Sequence, residues 1–143
     1  MIATLEMRLV LLGWVVAYLA YATACPSLPG EWTGTFNLIE GKCKCKGTMM
    51  AEATARGTSA NLNLFYLHAN CMQGCGCCHL GSLIGICRDN RLLLTSPDME
   101  MHGITWARGG MLSLCQFSGQ VNATHLYIEC TEPGSQVLFA LRR

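Results

Sequence analysis

The chain has 143 residues, ten of them cysteine, and a formal net charge of +1. That length suits one domain, and 13 % charged residues split almost evenly by sign exclude the clustered basic surface that nucleic-acid binding requires. A hydrophobic fraction of 51 % likewise excludes intrinsic disorder.

Residues Leu9–Ala20, LVLLGWVVAYLA, form an unbroken apolar run of twelve preceded by Arg8. Such a run matches the roughly 7–15-residue core of a secretory signal. It falls short of the about 20 residues a membrane-spanning helix needs. Ala22 and Ala24 then supply small residues at the −3 and −1 positions before Cys25. The expected signal peptide is therefore residues 1–24, cleaved between Ala24 and Cys25. Residues 25–143 remain as a single disulfide-rich β domain, secreted and without a membrane span. Two alternatives compete: an uncleaved anchor, and a bacterial lipoprotein acylated on Cys25. Against the second, Ala22 stands where a large aliphatic residue is usual.

Short apolar-rich segments then follow one another along the chain. In Glu31–Ile39, residues Trp32, Phe36 and Leu38 share one face of a period-2 strand. Gly47–Arg56 and Ala60–His68 follow, joined by Gly57-Thr58-Ser59; in the latter, Leu62, Leu64 and Tyr66 alternate with Asn61, Asn63 and Phe65. Ser82–Cys87 meets Arg91–Thr95 across Asp89-Asn90, a loop that tolerates positive φ. Gly103–Ala107 and Met111–Phe117 flank Arg108-Gly109-Gly110. His125–Thr131 and Gln136–Leu141 flank Glu132-Pro133-Gly134-Ser135, which suits a type II turn. The spacing is that of an all-β antiparallel meander of about eight to nine short strands. Closure into a barrel would remove exposed edges, while a sandwich has the same periodicity.

Gly30-Glu31-Trp32 opens the first strand and Arg142 follows the last. This layout resembles the calycins, the group that holds lipocalins, fatty-acid-binding proteins and avidins. In those families a tryptophan on the first strand is covered by a basic residue near the end of the barrel. Cys25–Thr33, CPSLPGEWT, also looks like the start of an avidin. The resemblance implies an eight-stranded up-and-down barrel with a ligand cavity at one mouth.

The cysteines are Cys25, Cys43, Cys45, Cys71, Cys75, Cys77, Cys78, Cys87, Cys115 and Cys130. Their close spacing, with His79 beside Cys78, could wrap a soft metal. Behind a signal peptide, however, an even count reads as disulfides, here five. Cys43 and Cys45 would share one face of an extended segment, opposite Lys42, Lys44 and Lys46. An economical arrangement ties both to the Cys71–Cys78 loop. The favoured single pair is Cys115 with Cys130, in a register that sets Phe117 opposite Ile128. The spacing C-x-x-C of thiol oxidoreductases is absent apart from the ambiguous Cys75–Cys78.

Motifs for catalysis or phosphate binding are missing, and His68, His79, His102 and His125 are scattered. Neither an enzymatic activity nor a cofactor is expected. The lysine run is more simply a solvated strand edge than a patch for an anionic partner. Asn122-Ala123-Thr124 is the sole glycosylation sequon and falls in a turn between strands. The favoured function is a secreted binding protein for a small hydrophobic ligand, with Trp32, Phe36, Tyr66, Trp106 and Tyr127 as pocket candidates. The alternative is an extracellular interaction protein (inhibitor, effector or surface protein) whose rigid scaffold displays the Cys71–Cys78 loop to a protein partner. Metal sequestration is a third class.

Overall fold

The computed structural model describes residues 23–40, 42–73, 81–95, 116–132 and 135–143. These carry eight strands: β1 (Gly30–Glu40), β2 (Cys43–Arg56), β3 (Ser59–Cys71), β4 (Ser82–Arg88), β5 (Arg91–Thr95), β6 (Phe117–Val121), β7 (His125–Glu132) and β8 (Ser135–Arg142). Each pairs antiparallel with the next, and β8 returns to β1, so the sheet closes into a barrel. The all-β meander is thus a barrel and not a sandwich. The expected strands at Gly103–Ala107 and across most of Met111–Phe117 lie outside the described residues.

Alternation along each strand sorts side chains between interior and solvent. Trp32, Phe36 and Leu38 of β1 are buried, as are Leu62 and Leu64 of β3 and Leu92 and Leu94 of β5. The intervening Asn61, Asn63, Arg91 and Thr95 face water. The β4–β5 hairpin turns on Asp89 and Asn90, with φ of 52° and 63°. Positive φ at both central residues gives the right-handed hairpin twist, and Asp and Asn tolerate it.

Closing eight strands requires sharp coiling, and inward-facing glycines allow it. A Cβ on Gly34 would collide with the Ala140 carbonyl of β8, and one on Gly85 with the Leu93 carbonyl of β5. A second irregularity lies in β3. Thr48 pairs with His68 but Met49 pairs with Tyr66, leaving Leu67 as an extra residue. This bulge reverses the alternation, so Ala69 and Cys71 pack on the core while Leu67 is 60 % exposed.

The β6–β7 register departs from the expected one by two residues. Gly119, not Phe117, lies opposite Ile128. The cause is the turn: the Asn122 side chain accepts from the amides of Thr124 and His125 at 2.9 and 2.8 Å, and the Asn122 amide donates to the His125 carbonyl. These bonds centre the turn on Ala123 and Thr124. A two-residue shift preserves the faces, so Phe117, Ile128 and Cys130 are all buried. Cys115 lies outside the described residues, and so therefore does the favoured pair with Cys130.

The barrel has two unlike ends. The terminal end carries the segment that leads into β1 from Thr23, the C-terminal Arg143, and the tight turns at Gly57-Thr58, Asp89-Asn90 and Ala123-Thr124. The loop end carries the connections β1–β2, β3–β4, β5–β6 and β7–β8.

Candidate functional site

The terminal end is closed by its own residues. The Trp32 indole nitrogen donates to the Leu28 carbonyl at 2.8 Å, and both side chains are wholly buried. The Arg143 guanidinium lies 4.3 Å over the Trp32 ring. It donates to the carbonyls of Ser27 and Pro29, the latter at 2.9 Å. Gly30 has φ of 124° and passes beneath Arg143, a conformation that a side chain would strain. The covering arginine is therefore Arg143 and not Arg142. The reason is alternation: Leu141 points inward, so Arg142 points outward beside His125 and Thr33, and only the residue past the strand can fold back. A bridge from Cys25 to Cys87 ties the incoming segment to β4. It occupies the sulfur that a lipoprotein would acylate. Trp32 is thus a floor to the barrel.

The interior toward the loop end has different surroundings. Phe36 and Tyr66 meet with ring centroids 5.0 Å apart and planes tilted by 55°. Tyr66 is half-buried, as are Cys43, Ala69 and Cys71, and all four pack on the core. These partly accessible groups gather at the loop-end halves of β2 and β3. Deeper in, Phe117 and Phe139 stack at 6.3 Å. Among the inward residues whose burial is described, each is apolar, glycine or cysteine, with the Tyr66 hydroxyl as the polar exception. Such a lining offers apolar contact.

Of the other pocket candidates, Trp32 lies at the terminal end and Tyr127 is not brought to this place. Tyr127 is 43 % exposed on the outer face of β7, because Leu126 and Ile128 take the inward positions. Its hydroxyl donates to Glu129 at 3.2 Å. Partial desolvation raises the phenol above its ordinary value of 10.0, and the Glu129 charge and hydrogen bond add to the effect. Trp106 lies outside the described residues.

Cys45 and Cys71 face each other across β2 and β3 and are bridged, with Cα atoms 4.1 Å apart. This bears out one tie between the Cys43–Cys45 pair and the root of the Cys71–Cys78 loop. Cys43 and Cys130 are each disulfide-bonded as well; Cys75, Cys77 and Cys78 lie outside the described residues. Among the described residues, all six cysteine sulfurs are therefore committed to disulfides, and no group of three His, Cys, Asp or Glu could hold a metal ion. Lys42, Lys44 and Lys46 are exposed, as the alternation requires. Lys46 borders an outer cleft of about 450 Å³ with Asn37, Thr48, His68 and Asn70.

Compared with protein-family models, curated proteins and solved structures, the chain matches none of them. The closed eight-stranded antiparallel barrel is consistent with a calycin-like layout. Arg143 and the Phe36–Tyr66 contact were missed by sequence reasoning. The only signal for the first was the odd–even position of Arg143 after Leu141, and the second depends on the β1–β2–β3 register.

Proposed function

We propose that the protein is a secreted, non-enzymatic binding protein that holds a small hydrophobic ligand at the loop end of a calycin-like barrel. The observation that carries this reading is the contact of buried Phe36 with half-buried Tyr66, beside inward neighbours that are apolar or cysteine. An eight-stranded barrel has room for packed side chains or one small ligand, and apolar pockets with few polar anchors suit lipid-like molecules. Secretion follows from the Leu9–Ala20 run and agrees with the committed disulfides. Native mass spectrometry of the protein secreted by a eukaryotic cell line tests the proposal. A retained adduct of lipid size is expected, and its loss in Tyr66→Ala would place it. A bare mass under conditions that preserve the fold overturns the reading.

A second reading is supported by the Cys45–Cys71 bridge at the end of β3. It clamps the root of the segment that begins at Cys71, and a rigid root favours recognition by the loop it carries. On this reading the partner is an extracellular protein, and the secreted material is ligand-free.

A further inference from the structure

We infer that Asn122 carries an N-linked glycan whose first sugar is seated against the outer face of the barrel, on Tyr127. The proposal rests on the secretory reading, since only an exported chain meets the glycosylating machinery. In the transfer, the Asn122 side-chain nitrogen attacks the anomeric carbon of a lipid-pyrophosphate-linked oligosaccharide. A C–N bond forms, the C–O bond to the pyrophosphate breaks and keeps its electron pair, and the nitrogen loses one proton. The folded turn accommodates the product. All three side-chain hydrogen bonds of Asn122 end on Oδ1, from the Thr124 amide and hydroxyl and the His125 amide. Among the described residues, none takes Nδ2, so a sugar there displaces no contact.

The seat is an outer cleft of about 310 Å³ that Asn122 itself lines, together with Tyr127, Gln120, Arg91 and the Asp89-Asn90 turn. Register places these groups side by side. Arg91 of β5 lies opposite Gln120 of β6, and Gln120 lies opposite Tyr127 of β7. Asn122 follows Gln120 by two residues on the same face, about 7 Å at the rise of an extended strand. One sugar attached at Asn122 therefore reaches both. Its C–H face can lie on the exposed Tyr127 ring, whose hydroxyl is already held by Glu129. Its hydroxyl and acetamido groups meet the amide of Gln120, the guanidinium of Arg91 and the Asp89 carboxylate. An apolar ring beside mixed donors and acceptors is the complement of a sugar, which has one apolar face and a polar rim.

The unaltered chain, Tyr127→Phe and Tyr127→Ala test this, each from a eukaryotic secretory line grown with and without an inhibitor of N-glycosylation, which leaves the Asn122 side chain and its turn bonds in place. Intact mass reports the glycan, and trimming by an endoglycosidase leaves the first sugar alone. The glycoprotein is expected to fold with an equilibrium constant roughly two- to tenfold above the same chain without its glycan, the range of an aromatic contact. Trimming should leave that factor intact, Tyr127→Phe should retain it, and Tyr127→Ala should abolish it. A glycosylated protein whose factor survives Tyr127→Ala, or is absent throughout, overturns the seat alone. A mass without glycan overturns modification and seat together.

Discussion

Trp32 and Arg143 together seal one end of the barrel, and their contributions are separable by substitution. Trp32→Ala removes a wholly buried indole and is expected to lower stability by about 3–5 kcal/mol, read by urea unfolding. A loss under about 1 kcal/mol contradicts its burial. Arg143→Ala removes a cation–π contact and two bonds to carbonyls at the surface, for roughly 1–2 kcal/mol. Arg142→Ala, on an exposed strand position, should change stability by less than about 0.5 kcal/mol. Equal effects of the two arginines would refute the assignment. Tyr127 offers a second residue-scale measurement. Its phenol is raised by desolvation first and by Glu129 next, so the midpoint of the Tyr127 tyrosinate absorbance step should lie above pH 10.0. Tyr127→Phe identifies that step, and Glu129→Gln should move it down part of the way. In the sequence, the inward face of β7 was legible as Leu126 and Ile128; counting Tyr127 among the inward aromatics conflicted with that same alternation.

At the scale of the strands, propensity and turn chemistry carried most of the information. Arg91–Thr95 and the Asp89-Asn90 turn stand where alternation and the φ tolerance of Asp and Asn place them. What alternation could not show was where the backbone breaks step. The Leu67 bulge lies at the end of the apolar run Leu64-Phe65-Tyr66-Leu67, where alternation gives no register, so the β2 partner strand is what exposes it. The β6–β7 register depended on which atoms the Asn122 side chain bonds, a local competition invisible to periodicity. The coiling glycines are likewise silent in sequence, because strand glycines are also simply unfavourable. Their role has a direct test. Gly34→Ala forces a methyl group into the Ala140 carbonyl and should cost about 1–3 kcal/mol through backbone displacement. Thermal unfolding that shows no loss would mean that β1 and β8 can separate there without penalty.

Barrel closure is a property of the whole chain, since it depends on β1 meeting β8 across more than ninety intervening residues. No local pattern distinguishes it from a sandwich, and the same holds for the Cys25–Cys87 bridge, with its separation of 62 residues. The two described bridges sit at opposite ends of the barrel, which allows stability and binding to be separated. In the chain-entropy model, closing 62 residues stabilises by roughly 4 kcal/mol and closing 26 residues by roughly 3.5 kcal/mol. Cys25→Ala/Cys87→Ala and Cys45→Ala/Cys71→Ala should therefore lower the urea midpoint by similar amounts, both large against a total of about 5–15 kcal/mol. Their effects on a bound ligand should differ. The first pair releases the terminal segment behind the buried Trp32, far along the barrel from Tyr66. The second frees the loop-end strands that hold Cys71, Ala69 and Tyr66 in place. Titration with a fluorescent fatty acid, under conditions where both variants remain folded, should show affinity retained in the first and weakened severalfold in the second. The reverse order would move the site to the terminal end, and equal affinities would detach it from the Phe36–Tyr66 pair.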